Sequence, residues 1–297
     1  MELDLITVGE YYNDLIFHSL RRPPRLGEEI KTPHFARSPG GGAAITAFAA
    51  RRLGLRVGIV AVMGDELELE PFRREKIDTS RVVIDPKRRT AVSVAVSTAR
   101  DRYFLTSEGA NAEFQKLLPW RQFYNYLASA RHVHFAFQPQ QLAEAAWWLG
   151  RLRNDGVTTS LDVGWHPKLL GSPRLRGLVR GATIFLPNWL EARAITGATR
   201  PGQALAALAE WVDLPVIKLG ARGAVASERG RVSRVPAPKA RFVDSTGAGD
   251  AFDGGFLYGY LRGSSVEECL RWGNLCGSRA TTAAGGIAGL PKRREAK

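Results

Sequence analysis

Cysteine and methionine are scarce in this chain, with two of each among 297 residues. Cys269 and Cys276 lie seven positions apart in a segment of helical pattern and therefore on one face, so a disulfide between them is geometrically implausible. Buried free thiols and a reducing cytoplasm are the expectation. No run of about 18 apolar residues occurs, which excludes an ordinary membrane-spanning helix. The opening MELDLITVGE has no basic region followed by a long apolar run, and reads as a first strand and not a signal peptide. Gly-x-x-x-x-Gly-Lys-Ser/Thr is absent, which excludes the usual phosphate loop. Neither Gly40-x-Gly42 nor Gly247-x-Gly249 has a further glycine three residues on, so a dinucleotide fingerprint is missing at both. Zinc-finger spacing is also missing. His132 and His134 share a strand face without a third ligand nearby, and His18, His34 and His166 are isolated, so all five histidines read as structural.

The formal net charge of +13 comes from scattered arginines, among them Arg21, Arg22, Arg51, Arg52, Arg73, Arg74, Arg88 and Arg89. No long basic run interleaved with aromatics appears, so a nucleic-acid partner is not expected. A positive field does favour anionic small molecules. With 44% hydrophobic residues the chain can bury a large core. Leu3 to Val8, Val57 to Val62, Val133 to Phe137, Val157 to Leu161, Ala182 to Leu186 and Val216 to Leu219 read as buried strands. Helical patterns fall between them, over 43–53 and 140–153 and around Glu191 and Ala204. That alternation predicts an α/β fold, a mainly parallel central sheet with helices on both faces. Glu29 to Phe35 and Ala91 to Thr98 read as further strands. Arg100-Asp101-Arg102 reads as a turn, and PKRREAK as a solvated tail.

Asp244-Ser245-Thr246-Gly247-Ala248-Gly249-Asp250-Ala251-Phe252-Asp253-Gly254-Gly255-Phe256-Leu257 is the most informative stretch. A glycine turn runs straight into a segment of helical pattern, which can hold an anion against uncovered N–H groups and the positive end of the helix dipole. Asp250 stands at the mouth of that turn, where an acid suits a base that takes a proton from a nucleophile attacking a phosphoryl group. The plain alternative is a capped helix start. Asn188 and Glu191, three apart at another helix start, face the same way and suit a magnesium ion held through water; alone they are a cap with an exposed glutamate. Lys218 could reach a phosphate or be a strand-end lysine in solvent. Asp14 interrupts an apolar stretch just past the first strand, where open α/β sheets bind ligands.

DSTGAGDAFDGGFL resembles the C-terminal signature of the ribokinase-like, or PfkB, carbohydrate kinases, with Ser245 the one departure from its commonest form. Pro39-Gly40-Gly41-Gly42 before an alanine-rich helix ending at Leu53-Gly54 is similar to the family's N-terminal signature. Gly64-Asp65-Glu66, Ile77-Asp78-Thr79 and Gly109-Ala110-Asn111 also match in order, so the resemblance spans nearly the whole chain. It implies a single ribokinase-like α/β domain over 1–297, with a small β-sheet lid from about 10–37 and 88–108. It implies Asp250 as catalytic base and Gly247, Ala248 and Gly249 as anion hole. Asp14, Gly40, Gly41 and Gln138 would meet the acceptor. Asn188, Glu191, Lys218, Gly220, Gly223 and Asn274 would meet ATP and magnesium, with Asn274 beside the adenine. Asp244 would bind a monovalent cation such as potassium.

The implied activity is ATP-dependent phosphorylation of a sugar hydroxyl, with two copies pairing through the lid. Two departures matter. Ile45 occupies the position of a family asparagine that contacts the sugar, and the helix after Glu66 is short. Together with Tyr11, Tyr12 and Phe137, Ile45 keeps a nucleoside acceptor open, and both departures keep open a ligand-binding relative without catalysis.

Overall fold

The computed structural model describes residues 2–98, 102–117, 120–137 and 139–292. Its frame is an eight-stranded sheet that starts from the most apolar stretches of the sequence. Strand β1 (Leu3–Gly9) lies inside the sheet. The small-sheet strands β2 (Tyr12–Leu20) and β3 (Phe35–Gly40) follow, then β4 (Val57–Val60) beside β1. The two-residue strands β5 (Val62–Met63) and β6 (Val83–Ile84) pair with each other. After β7 (Val92–Thr98) and β8 (Arg102–Ser107), the chain returns to the main sheet with β9 (Ala130–Ala136), β10 (Thr158–Asp162), β11 (Ile184–Phe185) and β12 (Leu214–Lys218). The antiparallel hairpin β13 (Ala224–Glu228) and β14 (Arg231–Val235) closes one edge, giving the order β14-β13-β12-β11-β10-β9-β1-β4.

The six strands β4, β1, β9, β10, β11 and β12 run parallel. Because β4 and β9 flank β1 on opposite sides, the winding reverses there and leaves a crevice at the carboxyl ends of the strands. Two apolar clusters cover the faces. Helices Gly42–Leu53, Ala248–Leu261 and Val266–Ala280 supply one, and helix Leu142–Asn154 with residues 175–208 supplies most of the other. The small sheet has the order β3-β2-β7-β8. Its outer pairs are antiparallel and its central pair, β2 with β7, is parallel.

Several expectations need adjusting. The strand expected over 29–35 forms later, at Phe35–Gly40, because residues 28–34 make no ladder. Pro39 belongs to that strand, which its edge position permits, an edge strand having no need of every N–H. The helix after Glu66 divides into a 3-10 turn, Glu66–Leu69, and a short helix, Glu70–Arg74. The β13–β14 hairpin escaped the sequence pattern because its tight turn is Arg229-Gly230, not Asn-Gly; Arg229 takes φ 49° and Gly230 φ 80°. Of the expected turn, Arg100 and Asp101 lie outside the described residues, as do 293–297 of the tail. His132 and His134 are buried and bond across to Thr158 and Ser160 of β10 at 2.7–2.8 Å. Among the described residues, no helix is long and apolar enough to cross a membrane.

The helix of the glycine signature is fixed by close packing. Thr46 Oγ1 donates to the Asp250 carbonyl at 3.0 Å. A Cβ added at Gly254 would lie 2.6 Å from Ala49 Cβ and 2.7 Å from the Thr46 carbonyl oxygen. Such distances are shorter than any tolerable contact, so Gly254 and the alanine face of Gly42–Leu53 set how near the two helices come. Gly254→Val should therefore separate them and cost roughly 1–3 kcal/mol of stability. The check is the midpoint of thermal unfolding, with an unchanged midpoint counting against this packing argument.

Candidate active site

A cavity of about 880 Å3 opens at the carboxyl ends of β1, β9, β10 and β12. Ala136 and Phe137 form part of its wall, with Asp162 and Lys218 at its base. Helix Ala248–Leu261 points its first turn at it, so Ala248, Gly249 and Asp250 face the space. The first N–H groups of a helix have no intrahelical partner; that of Ala248 donates to the Ser245 carbonyl at 3.3 Å, and Gly249 follows it at the cavity wall. Gly247 lies just behind, at φ 70°, as the N-cap. Ile45 explains the tightness there: its Cδ1 would stand 2.4 Å from a Cβ at Gly247. Ile45 is therefore core beneath the turn and is absent from the cavity wall among the described residues.

Asp250 is half-buried and sits directly on the cavity. Burial pushes its carboxyl up to about 7, the charge of Asp162 adds to that rise, and Lys218 opposes it. Asp14 is buried behind Gly40, where a Cβ would lie 2.1 Å from its Oδ2, so only glycine lets β3 pass this carboxylate. Burial, then the charges of Asp250 and Asp244, raises Asp14 to about 7 as well. Neither Asp14 nor Gly40 nor Gly41 contributes to the large cavity's wall among the described residues; Gly42 does, with its Cβ direction 3.1 Å from Asp250 Oδ1. Gln138 lies outside the described residues.

Asn188 and Glu191 make a capping box at the start of helix Trp189–Thr196. Glu191 accepts from the Asn188 backbone N–H at 2.8 Å and from its amide at 2.6 Å, and Asn188 Oδ1 accepts from Glu191 N–H at 3.0 Å. The cap and the metal reading are thus not exclusive. Glu191 is buried and not exposed, and both residues line the cavity. Burial and the nearby Asp162 raise the Glu191 carboxyl to about 7, a cost that a cation held through water would relieve, so this donor set fits magnesium.

Lys218 is not a solvated strand end. It is buried, with its ammonium 2.6 Å from Asp162 and 3.1 Å from both oxygens of Asp253. By sequence alone Asp162 only ends a strand, and Asp253 only lies inside the glycine signature. The signal for Asp253 is its spacing from Asp250, three residues along one helix, whereas Asp162 shares with Lys218 only a place at a strand end. Gly220 and Gly223 line the cavity, but Gly223 is required by β14, since its Cβ would fall 2.0 Å from the Val235 carbonyl oxygen. Asn274 is buried at the cavity wall and donates to the Val235 carbonyl at 3.0 Å.

Asp244 is buried and accepts from Thr246 N–H, Thr246 Oγ1 and Gly285 N–H at 3.2, 2.9 and 3.1 Å. Ser97 of β7 approaches the same carboxylate at 3.4 Å, joining the small sheet to the signature. Tyr11 faces elsewhere, packed on Phe72 with its hydroxyl on Glu68, whereas Tyr12 bonds Glu10 at the cavity edge. Among the described residues, the acids close enough to share a metal are Asp162, Asp250 and Asp253.

A family model described as pfkB family carbohydrate kinase matches residues 2–293. The chain is 28% identical to an uncharacterized sugar kinase of Archaeoglobus fulgidus, over 81% of this chain and 97% of that one. It is 30% identical to a cytidine kinase of Thermococcus kodakarensis, over 91% of this chain and 93% of the relative. Among solved structures, Arabidopsis thaliana ribokinase complexed with ribose and ATP superposes with a TM-score of 0.84. That match covers 100% of this chain and 98% of the other at 23% identity, and it bears on the fold alone.

The raised carboxyl of Asp14 carries a stability consequence. Its folded value, about 7, exceeds the ordinary 3.8, so the folded state keeps a proton that the unfolded chain has lost. Stability is then complete below about 4 and is lost as pH rises towards 7. Asp14→Asn removes that dependence, so the variant should gain over the parent by about 1–3 kcal/mol at pH 8 and hardly at all at pH 4. Thermal unfolding at both pH values checks this, and an equal gain at both would contradict the buried-acid account.

Proposed function

Because the chain belongs to the pfkB family of carbohydrate kinases, we propose that it transfers the terminal phosphoryl group of ATP to a hydroxyl of a sugar. The observation that carries this reading is Asp250, a carboxyl on the cavity at the first turn of a helix whose N-terminal residues Ala248 and Gly249 line the same space. Asp250 accepts the proton of the acceptor hydroxyl as that oxygen attacks phosphorus. The N–H of Gly249, together with that of Ala248, which also meets the Ser245 carbonyl at 3.3 Å, receives the charge on the transferred group. Asn188 and Glu191 would hold magnesium through water, and the ion would neutralise phosphate charge. Asp14, with Gly40 and Gly41, orients acceptor hydroxyls on the side away from the nucleotide. Gly220, Gly223 and Asn274 line the nucleotide end, with Lys218 behind them held by Asp162 and Asp253. Asp244, a buried carboxylate that accepts from Thr246, Gly285 and Ser97, would stand beside a monovalent cation such as potassium.

The small sheet acts as a lid that excludes water, and its Ser97–Asp244 contact ties closure to the signature. Phe35, Tyr103, Phe104 and Leu105 leave that sheet with exposed apolar side chains, which supports pairing of two copies through it. A nucleoside acceptor is the second reading, favoured by the 30% identity with a cytidine kinase. Ile45 does not add to it, being buried under Gly247.

Asp250→Asn should lower turnover by at least about 10³-fold while ATP binding stays near normal, since it removes the proton acceptor and little else. Coupled ADP release over a panel of sugars and nucleosides measures turnover, and calorimetry measures binding. Undiminished turnover in the variant would remove the base assignment. For the unaltered protein, the rise of Asp250 to about 7 predicts that kcat/KM falls as pH drops below 7, because the base becomes protonated. If Asp14 must also be ionised, the limb approaches a slope of two. A flat profile between pH 5 and 7 would contradict it.

A further inference from the structure

Lys218 stands at the end of β12, Asp162 at the end of β10, and Asp253 one turn beyond Asp250 on helix Ala248–Leu261. An ammonium carries three N–H donors. Three carboxylate oxygens surround this one, Asp162 Oδ2 at 2.6 Å and the two oxygens of Asp253 at 3.1 Å. All three side chains are buried, that of Asp253 completely. The donors are therefore committed within the protein, and Lys218 has none to give a phosphate. Its charge is another matter. A Cβ at Gly249 would lie 3.5 Å from Nζ, so the ammonium sits against the turn whose N–H groups face the cavity. Asp162, Asp250 and Asp253 bring carboxylate oxygens within 4.8 Å of one another, and Lys218 is the resident cation of that cluster.

We infer that Lys218, locked between Asp162 and Asp253, is a positioning residue for phosphoryl transfer: it draws the start of helix Ala248–Leu261 onto the sheet and sets a fixed positive charge beside Gly249 and Asp250. The inference rests on the kinase reading above. Asp253 is the link that makes it work, because it lies on the same helix face as Asp250 and ties that face to the strand end. A fixed charge of this kind needs no rearrangement when charge develops on the transferred group, which is where such groups contribute most. It also keeps Asp250 ionisable among other acids, since Lys218 opposes the effect of Asp162 on it.

The experiment compares the full chain with Lys218→Met, and with Lys218→Met combined with Asp162→Asn, using ATP and an acceptor that the unaltered protein turns over. Lys218→Met leaves two buried acids without their cation and should unfold at lower temperature. It should lose roughly 10²–10³-fold in kcat, as for other preorganised charge-stabilising groups, with the KM for ATP little changed. The double variant removes one positive and one negative charge together. Its unfolding temperature should recover while kcat stays low, and it carries the test if the single variant fails to fold. Recovery of kcat together with stability would reduce Lys218 to charge balance and overturn the inference. So would a raised KM for ATP with normal kcat, the pattern of a mobile phosphate ligand, or full activity in Lys218→Met. Absence of any phosphoryl transfer by the unaltered protein would instead remove the kinase reading, and this inference with it.

Discussion

Carboxylates repel one another and lose solvation when they are buried, yet Asp14, Asp162, Glu191, Asp244 and Asp253 are all buried near the strand ends, with Asp250 half-buried among them. Lys218 stands where that repulsion is worst. Burial alone would favour its neutral form, but Asp162 and Asp253 outweigh burial and keep it charged. In return it holds Asp162 down to about 2 against the burial that pushes the other way. Asp253, Asp250, Glu191 and Asp14 receive less compensation, and burial raises each of them. The arrangement leaves one fully ionised pair at the base and several acids that a cation or a hydroxyl-bearing ligand would relieve. Marginal folding stability makes such a concentration of acid costly, so it points to use.

The geometry that makes this possible is mostly apolar and backbone. Alanines on Gly42–Leu53 and Gly254 opposite allow two helices to approach until Thr46 reaches the Asp250 carbonyl. Ile45 fills the space under Gly247 and also meets Gly286, so the turn rests on a packed side chain. An asparagine in place of Ile45 would bury an amide in that apolar gap unless a ligand or a neighbour satisfied it. Isoleucine therefore firms the turn at the expense of a polar contact.

Much of this was legible in the sequence because the decisive stretches are contiguous. The apolar runs of β1, β4, β9, β10 and β12 and the helical patterns between them announce a parallel sheet. The glycine turn, Asp250 and the Asn188–Glu191 pair are local in the chain, and each arrives at the cavity with its neighbours. Illegibility begins where a role depends on distance along the chain. Lys218, Asp162 and Asp253 are separated by 56 and 35 positions, and nothing in any one segment says that they meet. Lys218 alone reads as a solvated lysine and Glu191 as an exposed cap, because burial is decided by elements elsewhere. The β13–β14 hairpin was hidden for the opposite reason, a purely local one, since Arg229 takes a left-handed conformation that its residue type does not advertise.

The same distinction separates binding from chemistry in this site. A cavity wall can be assembled from any residues that leave room, and Gly220, Ala221 and Pro238 do little more than that. The reacting end cannot, because a base must be both ionisable and aimed. As the proposed base, Asp250 would meet the two demands through different partners. The Thr46 hydroxyl and Gly254 packing fix its backbone, while Asp162 and Lys218 act on its charge in opposite senses. Position and charge are thus set by separate parts of the chain that converge on one helix turn. A substitution in either part would move or discharge Asp250 while leaving the rest of the cavity wall intact.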